Sequence, residues 1–563
     1  MRRGMLRRAA AVAMAAAVAV VLSACAGLPT SGPVFAGLQP GAVAPPDFSY
    51  VPVKPQDGAS PEQIVQGFID AGIGPESNWA IAQLYLAPSF QGQWNPSAST
   101  TIDDRSARTY VAAGDGRVVL TVTQQATVDG DGVYKTSDGG QTPLSFQLVK
   151  VDGQWRISKA PDGIVLGVDQ FTSVFHQYPL MYFDPAWRYL VPDVRWFPSI
   201  NAPTRIATAL IDGKPSGWLA GSVVSAFTDD VSLDPVSVAV SGSTGRVGLT
   251  RAALSLDRQT LDRMQTQLVY SMAAAGLSDV SMEYNSSPLT AQPVSTRSTR
   301  IDTRALVQTE KAFGFLASGT DVETVKGISD GMAKLHPVSA QLSADYTAAA
   351  VRTAQGAVVR VTSEGEVAVI DKRSGLIDPV IDPRNIIWSV PSSDPHALIA
   401  YTPDGGSVKV AGAWSNASRV TAMALSRDGT RLAAIVTVGG RSTIEIAGVV
   451  RDQNGVPTSL GDSATLGTLP HTGVSLTWLS DTDLGAVAGT GGDATVVQQA
   501  VSGPSTSTSA PDDAGTIAGT TGTTVRLLGG DGTLYSQRGS NWEKAGTGIR
   551  VLGDAQGIPP SQG

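Results

Sequence analysis

From about residue 338 onward the chain repeats one local pattern, and that repetition restricts its fold more than any other feature. Leu342-Ser343-Ala344-Asp345-Tyr346-Thr347 precedes the small apolar run Ala348-Ala349-Ala350-Val351. Leu425-Ser426-Arg427-Asp428-Gly429-Thr430 precedes Leu432-Ala433-Ala434-Ile435-Val436, and Leu479-Ser480-Asp481-Thr482-Asp483 precedes Gly485-Ala486-Val487-Ala488. Each unit reads as a strand, a polar hairpin and a strand of small residues. Opening strands near Val338, Ile386, Val420, Val474 and Ile517 recur at a mean interval of about 45 residues, the period of a four-stranded β-propeller blade. Residues 300–555 then form a C-terminal β-propeller of about five or six blades. Strand Phe313–Ala317 is placed to complete the last blade and so remove the open edges of the ring. A pair of β-sandwiches is the structural alternative. Ser502–Ala514, rich in Ser, Thr and Pro, is expected as an exposed loop between blades.

Composition agrees with a multidomain, β-rich chain. Its 563 residues suggest three or four domains, and 61 Gly with 34 Pro against 16% charge favours turns over helical bundles. A hydrophobic fraction of 42% excludes wholesale disorder. The net charge of −8, with no basic cluster beyond the first eight residues, offers nothing to nucleic acid. One cysteine excludes an internal disulfide and any Cys-based zinc cluster. The four histidines show no HxH or HExxH spacing, so neither metal nor cofactor is expected. No GxSxG elbow occurs, and His336, His396 and His471 read as loop or satisfied core residues. No catalytic residue is assigned.

The N-terminus sets the compartment. Arg2, Arg3, Arg7 and Arg8 precede an apolar stretch from Ala9 to Leu22, then Ser23 and Ala24, which is the layout of a secretory signal. A membrane-spanning helix needs about 20 apolar residues, more than this stretch supplies. The lone cysteine follows in Leu22-Ser23-Ala24-Cys25, which resembles a bacterial lipobox. That resemblance implies cleavage between Ala24 and Cys25, removal of residues 1–24, and a lipidated N-acyl, S-diacylglycerol Cys25 at the extracytoplasmic face of the cell membrane. Two or three acyl chains anchor stably where a single chain does not. Residues 25–59, rich in Pro and Gly, read as an extended tether, and Leu28-Pro29-Thr30-Ser31-Gly32 belongs to it.

Residues 60–165 open on Ser60-Pro61-Glu62-Gln63, a capped helix start with Pro at the first turn. A second helix is expected from Trp79 to Leu86. Strands follow from Arg117, over Thr142–Val151 and over Gln154–Ile157, with Asp152-Gly153 as a hairpin turn. Two helices and a curved antiparallel sheet resemble an α+β NTF2-like domain. Asp129-Gly130-Asp131-Gly132 lacks the later ligands of a calcium loop, with Val133, Tyr134 and Gly140 at those positions, and reads as a turn.

Residues 172–290 place strands at Tyr178–Asp184, Tyr189–Arg195, Val223–Phe227, Val236–Val240 and Arg246–Leu249, with helices at Thr204–Ile211 and about Leu256–Ala275. Leu261, Met264, Leu268 and Met272 share one face of the longer helix, which Gly276 ends. Met181-Tyr182-Phe183, Val224-Ser225-Ala226-Phe227, Gly245-Arg246-Val247-Gly248-Leu249 and Gln267-Leu268-Val269-Tyr270-Ser271-Met272 together resemble the α+β GerMN domain, a binding or assembly module. Nine aromatics from Phe171 to Phe197 suit a strand core, with a glycan-stacking platform as the rival reading.

A lipobox, an NTF2-like domain, a GerMN domain and a propeller, in that order and with Gly27–Pro33 after the cysteine, resemble the LpqB family of actinobacterial lipoproteins. The resemblance implies a non-enzymatic accessory of a two-component system in cell-envelope homeostasis and division. It implies binding to the extracellular domain of the sensor kinase MtrB, which works with the regulator MtrA. Two other classes stay open: a module binding cell-wall glycan or peptidoglycan, and a propeller-based envelope hydrolase.

Overall fold

The computed structural model describes residues 52–559, apart from 320, 522 and 523; Ala24, Cys25 and most of the tether lie outside the described residues. The repeat region forms a ring of six blades, five of four strands and one of five. Blade one is Pro337–Leu342, Ala348–Thr353, Val358–Thr362 and Val367–Asp371, and blade two is Val380–Ile381, Ile387–Ser389, Ile399–Tyr401 and Ser407–Lys409. Blade three runs from Arg419–Leu425 through Arg431–Val438 to Arg441–Arg451, whose outer edge is shared by Pro457–Leu460 and Ala464–Thr468. Blades four and five open on Gly473–Trp478 and Ala514–Thr521.

The sixth blade joins the two ends of the domain. Its inner strand is the C-terminal Ile549–Ala555, which pairs antiparallel with Leu306–Thr309, and Phe313–Ser318 and Asp321–Thr324 follow outward. Strand Phe313–Ser318 thus completes the last blade as expected. At the axis Asp554 and Ala555 also bridge in parallel to Gln341 and Leu342 of blade one, which seals the ring.

Two expectations in this region need correction. Blade two opens at Val380–Ile381, and the strand at Ile387 is its second. Pro379 and Pro383 flank the opening strand, and proline cannot donate to a ladder, so only two residues pair. Ser502–Ala514 is also no plain loop, because Ser505–Ser509 is the outer strand of blade four, paired residue for residue with Thr495–Gln499. Thr506 and Thr508 are β-branched and suit an edge strand despite the polar composition.

The repeated Ser/Asp/Thr hairpins are hydrogen-bonded clamps. In blade one Ser343 Oγ donates to Asp345 and accepts from the amides of Thr347 and Ala348. In blade three Ser426 Oγ donates to Asp428 and accepts from Arg431 N, while Thr430 donates to the same carboxylate through both N–H and hydroxyl. Burial pushes the Asp428 carboxyl up, but Arg431 and these donors outweigh it and hold its pKa below the usual range. The Arg431 guanidinium lies 2.6 Å from Asp428 Oδ2, fully buried, and stacks over Trp478 at 4.7 Å.

The first domain packs helix Pro61–Asp70 against a sheet in the order Gln154–Lys159, Gln141–Val151, Arg117–Asp129, Ser99–Asp103, Ile164–Gly167. Ser60 caps the helix in a capping box with Gln63. The helix expected over Trp79–Leu86 is one turn, Ala80–Gln83. Ser77, Asn78 and Trp79 are left-handed, which swings the Trp79 indole into the core, where it donates to Gly72 O. The folded body begins before residue 60: Val53 O accepts from Tyr85 Oη, and Gly58 N donates to Gln154.

The second domain rests on a nine-pair hairpin, Phe175–Phe183 with Leu190–Pro198. Beside it, parallel strands Thr244–Gly248 and Asp279–Tyr284 are joined through helix Arg258–Met272. The strand expected at Val223–Phe227 reduces to one bridge, Phe183 to Val224. The buried Gln267 amide takes over: its oxygen accepts from Ala226 N at 2.6 Å and its nitrogen donates to Met181 O at 2.8 Å. Of the run expected over Val236–Val240, Ala239–Ser241 pairs and Val236 is exposed.

Candidate functional site

The described residues belong to one compact unit, and the contacts between its domains are buried. The turn Asp129–Gly132 docks the first domain on the second: Asp131 O accepts from Arg195 Nη1 and Gly132 O from Trp196 N. Asp129 Oδ1 is engaged by the amides of Asp131 and Val133, as in an Asx turn. Gly132 has φ +80°, and a Cβ there would lie 2.7 Å from the Phe197 ring, so this position admits glycine alone. Asp193 neutralises the buried Arg195 and also accepts from the amide and hydroxyl of Ser216.

Trp196 reaches all three domains. Its ring meets Phe171 at 4.7 Å and Tyr134 at 6.0 Å, and its Nε1 donates to Ser502 O of the propeller at 2.7 Å. A continuous apolar core runs from Ile206, Leu210 and Leu219 into Ile435, Ile444 and Trp478 of blades three and four. Gly448 permits this approach, since a Cβ would sit 2.4 Å from Ser222 Oγ. Of the aromatics between Phe171 and Phe197, all but Trp187 are buried, so the segment builds the junction and offers no stacking platform.

Two small spaces lie at the ring axis. A cavity of about 30 Å³ is lined by residues that include Gln341, Arg427, Thr477, Asp554 and Gln556. A second, of about 10 Å³, lies among Asp302, Arg304, Arg526 and Asp554. Such volumes take a water molecule or two and exclude a sugar ring. Asp554 Oδ2 accepts from Thr477 Oγ1 at 2.5 Å, while Arg427 Nη2 donates to Trp478 O and Arg526 Nη2 to Thr303 O. Burial raises the Asp554 carboxyl to about 6 against the opposing effect of Thr477, Arg427 and Arg526. Sequence reasoning assigned nothing to this residue, although an acid inside Val551-Leu552-Gly553-Asp554-Ala555 is a signal in itself. His396 Nδ1 is 3.0 Å from Ala413 O, a satisfied ring as expected. Among the described residues no group of three His, Cys, Asp or Glu is placed to hold a metal ion.

Three family models match the chain in succession. The N-terminal domain of lipoprotein LpqB matches residues 54–172, a domain of sporulation and spore germination proteins matches 179–290, and the lipoprotein LpqB β-propeller domain matches 305–551. The chain belongs to the lipoprotein LpqB family. Lipoprotein LpqB of Nocardia farcinica is 29% identical over 245 residues, a match spanning 43% of this chain and 40% of that relative. Lipoprotein LpqB of Rhodococcus jostii is 25% identical over 545 residues, 89% of this chain and 88% of the relative. Among solved structures, TolB from Acinetobacter baumannii is similar at 15% identity with a TM-score of 0.32, covering 45% of this chain and 66% of TolB. Among the described residues of this LpqB-family chain, no helix is long and apolar enough to cross a membrane.

The axial carboxyl makes stability depend on pH. The folded protein keeps the Asp554 proton up to about pH 6, whereas the unfolded chain, with an ordinary carboxyl at 3.8, releases it earlier. Its contribution is therefore fully present below about pH 4 and is lost as pH rises through 6, by about 3 kcal/mol at most. Asp554→Asn keeps an acceptor for Thr477 and removes the charge. Denaturation across pH 4–8 is expected to show the variant losing less stability than the parent over that rise; equal slopes would refute the assignment.

Proposed function

We propose that this LpqB-family chain is anchored through lipidated Cys25 at the extracytoplasmic face of the membrane. There it binds the ectodomain of the sensor kinase MtrB and modulates MtrAB signalling in envelope homeostasis and division, without catalysing a reaction. The observation that supports binding is the unit itself: three domains fused through buried contacts into one body. A rigid body with a broad, loop-bearing propeller face suits recognition of a protein surface. Modulation then follows from different affinities for the signalling states of the kinase.

The test is photo-crosslinking from blade loops in intact cells. Recovery of the kinase ectodomain supports the reading, and recovery of wall fragments alone would favour a glycan-binding module. Cys25→Ser is expected to release the protein or leave an uncleaved precursor. Normal processing with unchanged membrane retention would contradict the anchor. Deleting the propeller is not an equivalent test, because it would strip about a third of a shared apolar core from the second domain.

A further inference from the structure

The larger axial space is lined by one guanidinium and one carboxyl, Arg427 and Asp554, that form no ion pair. Arg427 comes from the hairpin of blade three and is only 9% exposed, yet its hydrogen bond runs from Nη2 to the carbonyl of Trp478. Its neighbour Asp428 is taken by Arg431, and Asp481, the other carboxylate near it, accepts from Thr299 Oγ1 at 2.7 Å. Gln341 of blade one lines the same space; its Oε1 accepts from Ile381 N, so its N–H₂ end is the one left to donate. Gln556, 3% exposed, also lines it, with Oε1 buried and without a donor. Asp554 faces the smaller space too, together with Asp302, Arg304 and Arg526. Arg304 is neutralised by Asp302 at 2.7 Å, with Glu323 reaching it from solvent, whereas Arg526 donates to Thr303 O and keeps Nη1 buried without a partner. Three arginines against Asp302 and Asp554 thus leave the lining of the two spaces positive even with Asp554 ionised.

A buried guanidinium without a counter-charge is costly, and whatever fills the space beside it decides that cost. A cation is repelled by Arg427, and water brings no charge to it. A monatomic anion brings one, and a volume of about 30 Å³ leaves no room for sulfate or phosphate. We propose that the larger axial space is a halide site, that Arg427 and Gln341 donate to the anion, and that a proton on Asp554 accompanies it. Burial lets Asp554 keep that proton to about pH 6. Once ionised, the carboxylate stands on the wall of the same space as the anion, and such like-charge repulsion is worth about tenfold or more in affinity. The bound halide must raise the proton affinity of Asp554 by the same factor. The neutral acid also brings a donor to the space in which Gln556 Oε1 lacks one.

The full mature chain with Cys25→Ser, which removes acylation, is the protein to test, with bromide as the probe. Crystals grown in sodium bromide at about pH 5 are expected to show an anomalous bromine peak within reach of Arg427 and Gln341. In solution, bromide in place of isethionate at equal ionic strength should raise the thermal midpoint at about pH 5, and its affinity should fall about tenfold by about pH 8. Arg427→Met should abolish the bromide response at both pH values. Asp554→Asn, neutral throughout, should keep at the higher pH the response that the Cys25→Ser protein shows at the lower one. Should Arg427→Met fail to fold, the crystal peak and the Asp554→Asn comparison decide the matter. Water alone at the axis of the bromide crystals, equal bromide responses with and without Arg427, or a response in the Cys25→Ser protein that does not fall as pH rises would overturn the proposal.

Discussion

Asp428→Ala is expected to lower the stability of the propeller by about 3–5 kcal/mol, the usual cost of leaving a buried charge without its partner. Arg431 is fully buried, and its Nε already lacks an acceptor. Without Asp428 its remaining polar contact is Nη1 with Asp481 O, beside the Trp478 ring. The same carboxylate also holds Ser426 and Thr430, so the hairpin clamp is lost with it. Exchanging the pair together, as Asp428→Leu with Arg431→Met, should cost much less, because no charge is then stranded. Urea denaturation of the single and double variants measures the difference; a single variant within 1 kcal/mol of the parent, about a third of the lowest expected cost, would count against this account.

Trp196→Ala should have an effect of similar size, about 3–5 kcal/mol, but at the junction of the domains. The indole is buried against Phe171 and Tyr134, and its N–H is the donor to Ser502 O. Its removal leaves a cavity and a carbonyl without that donor. Hydrogen exchange is expected to accelerate together in the 129–133 turn and around 502–504, in different domains. Trp196→Phe keeps most of the ring packing and should lose roughly 1 kcal/mol, the value of the hydrogen bond. Acceleration confined to one domain would show that Trp196 does not couple them.

The parts of the fold that local patterning specifies were legible in the sequence. The Leu-Ser hairpins at 342, 425 and 479 each join the first and second strands of a blade, and one Ser and one Asp close each turn. Helix Arg258–Met272 follows from the apolar face of Leu261, Met264, Leu268 and Met272 and from Gly276 beyond its end. Errors arose where tertiary partners override local preference. Val223–Phe227 reads as a strand by residue type, but a glutamine 41 residues away from Ala226 takes its hydrogen bonds. Ser502–Ala514 reads as a loop by composition, but a neighbouring strand supplies its ladder. The axial site was not legible, because Arg427, Thr477 and Asp554 meet only after the ring closes.

The central claim is that a non-catalytic, anchored body recognises the sensor kinase. Its most direct test is equilibrium binding of the purified mature protein to the isolated MtrB ectodomain, with wall fragments assayed in parallel for turnover. The account predicts saturable binding to the ectodomain, weakened by substitutions on one propeller or junction face, and no turnover. Absence of binding by the folded protein, or turnover of the fragments, would contradict it.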